Sequence, residues 1–267
     1  MEKECLYINT LGGLTLTHKG KPVTTLVSKK AEALLVYLAC EGRTLSREIL
    51  AELLWEERGQ SQALSNLRVV LASLRKELGE YVTITRDTAA INRYASILLD
   101  IDQFKELVNA EEVEKAVEIY RGDFLQGFYL RDTREFENWI VIQREQLKRK
   151  YLNGLVSLVE TALETGNYPR GIQYASQLLS HDPTRETAHR KLMRLLVYNG
   201  QRGAALEQYQ DCWRVLGEEL GLEPSQETRQ LYQDILDEKI VIPEPESIPK
   251  PELKPKKTGI LGDRCGR

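Results

Sequence analysis

Between residues 61 and 78, Leu64, Leu67, Leu71, Leu74 and Leu78 recur at spacings of three and four. That period gathers them on one face of a helix. At ~100° per residue, Gln62, Ser65, Val69, Ala72, Ser73 and Lys76 fall on the opposite face, with Asn66 near its edge. A second apolar-faced run precedes it: Ser46 is a good N-cap, and Ile49, Leu50, Leu53, Leu54 and Trp55 follow. Glu56-Glu57-Arg58-Gly59-Gln60 is a short polar connection containing glycine. An earlier helix starts after Ser28 and carries Ala31, Leu34, Leu35 and Leu38. Leu6-Tyr7-Ile8 and Leu14-Thr15-Leu16 read as short strands, the second turning at Lys19-Gly20-Lys21. After the long helix come two short strands with a tight turn at Arg86-Asp87-Thr88. Strands, three helices and a terminal hairpin predict a winged helix-turn-helix over residues 1–100, in which 61–78 is the reading helix. Its outer face is small, hydroxylic and amide-bearing near the start and basic near the end. That suits a DNA major groove, where short polar groups read base edges.

From Asp100 onward the alternation of strands gives way to long amphipathic runs. Asp102–Val108 and Val113–Tyr120 read as helices, the second ending at Arg121-Gly122. A long helix from Thr133 to about Glu164 carries Phe136, Trp139, Ile140, Leu147, Tyr151, Leu155 and Leu158 on one side and stops at Gly166-Asn167. Gly166 and Gly200 lie 34 residues apart, each between two helices. Ile172 matches Leu206, Gly171 matches Ala205, and Asp182-Pro183 separates the units. A 34-residue helix-turn-helix period is the tetratricopeptide pattern. Residues 101–240 are therefore expected to form an all-α, tetratricopeptide-like domain. Its stacked hairpins build grooves for peptide or protein partners. The fold class is mainly α. Residues 241–267 hold five of the nine prolines and read as a flexible tail or linker.

Charge sharpens this division. The whole chain carries −3. Residues 1–100 hold thirteen basic and twelve acidic side chains, whereas 101–240 hold eighteen and twenty-four. Within 58–93, Arg58, Arg68, Arg75, Lys76, Arg86 and Arg93 face only Glu77, Glu80 and Asp87. The acidity sits away from the reading helix, and Arg68, Arg75, Lys76, Arg86 and Arg93 are placed to meet phosphates.

Other chemistries find little support. Cys5, Cys40, Cys212 and Cys265 are dispersed and make no CxxC pair, so neither zinc nor a disulfide framework is expected. His18, His181 and His189 read as solvated or packing histidines, the last two separated by Pro183. The chain has no GxSxG, HExxH or Ca²⁺-loop motif. Adjacent pairs such as Glu111-Glu112 and Glu218-Glu219 diverge on a helix. Trp55, Trp139 and Trp213 fall on apolar stripes and are expected in the core. No catalytic residue, metal or cofactor is assigned, and the chain reads as no enzyme. It has no 18-residue apolar run and no basic-then-apolar start, so no membrane span or signal peptide is expected. The expected compartment is the cytoplasm.

Several ordered motifs carry a resemblance. LGGLTLTHKGKPV, SKKAEALLVYLACEGRTLSREILAELLW and SNLRVVLASLRKELG resemble the winged-helix half of bacterial transcriptional activators of the antibiotic regulatory protein family, itself related to the DNA-binding domain of response regulators. Tyr120–Leu125, Phe136–Trp139, Asp182–Glu186 and Leu216–Thr228, with Leu192-Met193, Gly200 and Tyr209, resemble that family's bacterial transcriptional activation domain. Together these cover roughly residues 5–237. The resemblance implies a sequence-specific regulator of double-stranded DNA that recruits RNA polymerase to promoters, often on direct repeats. A homodimer is a further expectation. The resemblance also implies base contacts by Ser65, Asn66, Val69 and Ala72, with Arg68, Ser73 and Arg75 towards phosphates. The chain departs from many relatives in a less basic reading face. It lacks the GxxxxGK[ST] loop of larger relatives and any receiver-like segment. The alternatives are a protein-interaction scaffold, or the regulatory portion of a larger signalling ATPase.

Overall fold

A computed structural model describes residues 5–24 and 26–241; most of the proline-rich stretch and Cys265, at 242–267, lie outside them. β1 (Leu6–Asn9) runs antiparallel to β2 (Thr15–His18), which pairs with β3 (Lys21–Pro22). Lys19 and Gly20 both have positive φ, 52° and 71°. That backbone matches the right-handed twist of a two-residue hairpin. α1 (Lys29–Glu41) follows Ser28 and ends at Gly42, a left-handed cap. Ala31, Leu34, Leu35 and Leu38 are wholly buried, as their spacing requires. Then come β4 (Leu45–Ser46), α2 (Arg47–Trp55), α3 (Gln60–Leu78), β5 (Val82–Ile84), β6 (Thr88–Ile91) and β7 (Ile97–Leu99). β4, β6 and β5 form one small sheet, in that order; β3, β2, β1 and β7 form the other.

The helical half comprises α4 (Asp100–Asn109), α5 (Val113–Ile119), α6 (Arg134–Thr165), α7 (Tyr168–His181), α8 (Glu186–Tyr198), α9 (Arg202–Leu220) and α10 (Gln226–Leu236). α6–α7 and α8–α9 are the two 34-residue hairpins. Gly171 shows why small residues recur at their crossing. A Cβ there would lie 2.6 Å from Leu195 Cδ2 and 2.9 Å from Ala162 Cβ. Its counterpart Ala205 is fully buried.

Three expectations about the core need correction. Ile49 is 50% exposed, because α2 turns Leu50, Leu53 and Leu54 inward and leaves Ile49 on its outer side. Trp213 is 41% exposed; it meets the edge of Tyr209 at 6.1 Å on the outside of α9, while Cys212 and Leu216 face inward. Leu64 is only half-buried, and Ala63 and Val70 are buried in addition to the leucines, because α1 and α2 both pack on α3.

The change of pattern at Asp100 falls inside one continuous core. Trp139 of α6 packs on Tyr37 of α1 at 4.9 Å, on Phe124 at 5.5 Å and on Phe136 at 5.4 Å. The segment after β1 is laced to the segment after α5: Leu125 N donates to Thr10 O at 2.7 Å and Gly12 N to Asp123 O at 3.1 Å. Gly12 and Gly122 let the two backbones touch; a Cβ on Gly122 would sit 3.0 Å from Gly12 Cα. Arg144 of α6 clamps the same segment by donating to Phe124 O and Leu125 O at 2.6 and 2.7 Å. Asp100 sits at the seam, 7% exposed. Its carboxylate accepts from Thr10 N, Thr10 Oγ1, Leu11 N and Ile101 N at 2.6–2.9 Å.

Two of the motifs in the helical half meet as well. Glu186 Oε1, at the start of α8, accepts from Ser225 N at 2.7 Å and Ser225 Oγ at 2.6 Å, at the start of α10. Arg190 donates to Thr228 Oγ1 at 3.0 Å and pairs with Glu227 at 2.9 Å. Burial pushes the Glu186 carboxyl up, but the hydrogen bonds from Ser225 and Thr228 and the Arg190 charge outweigh it, so it titrates below the ordinary 4.5. A depressed folded value means stabilisation present above pH 4.5 and lost as pH falls through the folded value. Glu186→Ala is therefore expected to cost about 1–3 kcal/mol at neutral pH. Denaturant melts of both proteins should show the gap closing as the solution is acidified below 4.5. A gap that stays constant with pH would mean that Glu186 acts through packing alone.

Candidate nucleic-acid interface

α3 is anchored by Ala63, Leu67, Val70, Leu71, Leu74 and Leu78, all buried. The helix therefore presents its other side outward. Gln62, Ser65, Arg68, Val69, Ala72, Arg75 and Lys76 are exposed, and Asn66 and Ser73 are half-buried. Val69 is an apolar side chain 59% exposed in the middle of this polar face. Apart from the methyl of Ala72, the remainder of the face is amide, hydroxyl or cation, with no acidic group in the first turn of α3.

The expected site residues divide by how they are engaged. Arg68 and Arg86 have no hydrogen-bond or ion-pair partner among the described residues. Lys76 lies 3.7 Å from Glu77. Ser73 Oγ accepts from Val27 N at 3.3 Å, tying the segment before α1 to α3. Arg75 donates to Ile84 O at 2.7 Å, and Arg93 donates to Gly42 O. These last two brace the hairpin and its base, each through one of five guanidinium N–H groups.

The hairpin itself is built to hold Arg86 outward. Thr85 Oγ1 lies 2.8 Å from Thr88 Oγ1 and accepts from Asp87 N at 3.3 Å and Thr88 N at 3.0 Å. Thr85 O is the acceptor for Arg47 at 2.6 Å, and Asp87 O accepts from Arg47 N at 2.9 Å. The tip is thus fixed to the first residue of α2 on one side and to α3 on the other, with Arg86 at its apex.

The structure adds residues the sequence reading left out. Gln62 and Asn66 line a cavity with Lys30, Arg58, Glu57 and Asp132. Lys30 donates to Leu54 O and lies over the Trp55 ring, 4.9 Å from its centroid. Burial, partly offset by Asp132, holds its ammonium below the ordinary lysine value. Only the tertiary placement of α1 brings Lys30 to α3; nothing in its spacing signalled this. Arg134 N donates to Glu56 Oε1 at 2.7 Å, so the first residue of α6 holds the turn between α2 and α3.

The histidines are engaged in packing. His189 is buried, with Nε2 2.8 Å from Pro183 O and Nδ1 2.7 Å from Gln208 Nε2. His18 meets the edge of Tyr81 at 5.3 Å and His181 that of Tyr151 at 5.2 Å. Among the described residues no cluster of three or more His, Cys, Asp or Glu could hold a metal, and no helix is long and apolar enough to cross a membrane.

Comparison with known proteins gives this geometry a context. The chain is 30% identical over 254 residues to the regulatory protein AfsR of Streptomyces griseus, covering 90% of this chain and 26% of that protein. Against AfsR of Streptomyces coelicolor the identity is 26% over 250 residues, covering 88% and 24%. The chain thus spans about a quarter of the length of both. It is 23% identical over 256 residues to the regulatory protein DnrI of Streptomyces peucetius, covering 86% of this chain and 92% of DnrI. Among solved structures, Mycobacterium tuberculosis EmbR in complex with a low-affinity phosphopeptide shares the fold. It aligns with a TM-score of 0.63 at 22% identity, over 90% of this chain and 67% of that one. The family model of the bacterial transcriptional activator domain matches residues 99–236, just over half of the chain. The protein therefore belongs to the bacterial transcriptional activator domain family, whose members are transcriptional regulators rather than enzymes.

Proposed function

We propose that this chain is a sequence-specific DNA-binding transcriptional regulator, an activator that helps recruit RNA polymerase at promoters. Residues 1–100 read the DNA; residues 101–240 meet protein partners and support dimerisation on direct repeats, in the cytoplasm. The observation that carries the reading is the outer face of α3, which presents Gln62, Ser65, Asn66, Val69 and Ala72 together with Arg68, while Arg86 stands exposed at the hairpin tip, both arginine side chains without a partner among the described residues. Gln62 and Asn66 each pair bidentately with adenine, and Val69 covers a thymine methyl. Ser65 and Ala72 keep the helix close to the groove floor. Arg68, Lys76 and Arg86 meet phosphates. Ser73, Arg75 and Arg93 hold the neighbouring segments in place and turn their remaining donors to the backbone. Similarity to the regulatory proteins AfsR and DnrI supports this assignment.

Electrophoretic shifts with genomic fragments, followed by titration of the selected site, test it. Asn66→Ala is expected to weaken the selected site by ~1–3 kcal/mol and to leave random DNA nearly unaffected. Equal losses on both would remove Asn66 from the readers. No shift with any fragment would favour a scaffold whose winged helix binds protein.

A further inference from the structure

α6 and the start of α8 are the first helices of the two successive repeats. Between them, at the α7–α8 connection, lies a trough of about 570 Å³. Lys148 and Arg149 line it from α6, and Arg185 lines it from the opposite side. None of the three side chains has an ion-pair or hydrogen-bond partner among the described residues. That sets them apart from many cations of the same half. Arg170 pairs with Glu114, Lys191 with Glu160, Arg202 with Glu238, Arg214 with Asp211 and Glu218, and Arg229 with Glu223. In a segment with six more acidic than basic groups, three cations left unpaired around one concavity form a local sink for negative charge. Two acids share the trough. Asp182 is partly engaged, accepting from Thr184 Oγ1 at 3.4 Å, and Glu145 stands on the exposed side of α6. Leu152 and Asn153 give the wall an apolar spot and an amide suited to a peptide backbone.

We infer that this trough is a docking site for an acidic segment of a protein partner. Carboxylates of that segment would meet Lys148, Arg149 and Arg185, and an apolar side chain would rest on Leu152. The inference deepens the proposed reading of residues 101–240 as the partner-binding half. Stacked helical repeats present extended surfaces of this kind, and arginine forks match carboxylates bidentately. Distance argues against the same DNA site as occupant. Lys148 lies fourteen residues into α6 from Arg134, roughly 21 Å along the axis at 1.5 Å per residue, and Arg134 is the end that touches the turn before α3.

The test uses the full chain and a short fluorescein-labelled peptide rich in Glu with one central Leu, read by fluorescence anisotropy. A Lys-rich peptide of equal length and the selected DNA fragment serve as controls. The acidic peptide is expected to bind at roughly 10–100 μM, more weakly as salt rises, and the Lys-rich peptide not at all. Arg149→Glu, on an exposed position, should reduce peptide affinity about tenfold or more with DNA binding and thermal midpoint unchanged. Arg185→Gln should give a smaller loss in the same direction. Peptide binding that falls with these substitutions supports the assignment whatever the DNA result, so its failure is distinguishable from failure of the DNA reading. No binding of the acidic peptide, equal binding by wild type and both variants, or a loss confined to DNA would each overturn it, the last by making the trough a phosphate contact.

Discussion

Asp100→Ala is expected to destabilise the entire chain by about 3–5 kcal/mol, the largest single-residue effect on folding foreseen here. The carboxylate is almost fully buried and accepts from two backbone N–H groups of the β1–β2 connection, the Thr10 hydroxyl and its own helix start. Alanine would strand Thr10 N and Leu11 N, both on buried residues, without an acceptor, and unpaired buried donors cost far more than the net worth of the bonds they made. Asp100→Asn should also be costly, since one end of the amide would turn N–H against N–H. Equilibrium denaturation followed by circular dichroism measures both. Because Asp100 joins the two halves, the transition should shift as one step. A loss below about 1 kcal/mol, on the scale of a single ordinary hydrogen bond, would show that solvent reaches Thr10 and Leu11.

Raising salt from 50 to 200 mM is expected to weaken DNA binding by roughly 10²- to 10³-fold per subunit. Each phosphate neutralised releases condensed counterions, so log K falls linearly with log salt, at a slope near −0.9 per contact. With ~3–5 contacts from Arg68, Arg75, Lys76, Arg86 and Arg93 the slope should lie at about −3 to −5. Arg86 is the sharpest probe, because its hairpin is fixed by Thr85, Thr88 and Arg47 without using the Arg86 side chain. Arg86→Ala should flatten the slope by ~1 with sequence preference intact. An unchanged slope would make the hairpin a packing element, and binding indifferent to salt would remove the DNA reading altogether.

The helices and the repeat were legible because their period is long. α3, α6 and the Gly166–Gly200 spacing each offer many positions at which an apolar face can be checked. β4 and β7 went unread for the opposite reason. Two or three residues carry no period, and β7 exists because β1, 91 residues earlier, offers it a parallel partner: Leu6 sits opposite Ile97 and Ile8 opposite Leu99. Ile49 and Trp213 are apolar residues on apolar runs, yet α2 and α9 turn them outward, because the partners that choose the buried side come from distant segments. Of the proposed reading face, Gln62, Ser65, Val69, Ala72 and Lys76 follow from periodicity as an outward set on α3, whereas Ser73 is half-buried and Arg68 and Arg75 are exposed outside that set. What periodicity could not say is which cations are already occupied. Arg75 and Arg93 look like Arg68 in sequence, yet each donates to a carbonyl brought near by the fold. Lys30 reaches α3 only through packing.

The lacing of Thr10–Gly12 to Asp123–Leu125 has a consequence for how such regulators can be recombined. A reading head cut at residue 100 and grafted onto a relative's helical half would carry one side of a fitted joint. Its Gly12 needs a glycine opposite, at the place of Gly122, and its Tyr37 needs the indole of Trp139. The unit that can be exchanged intact therefore runs from β1 through the first turns of α6, to Arg144. In this architecture, an exchange of whole N-terminal halves carries the collar with it. A change made by substitution on the outer face of α3 leaves every contact of the joint in place.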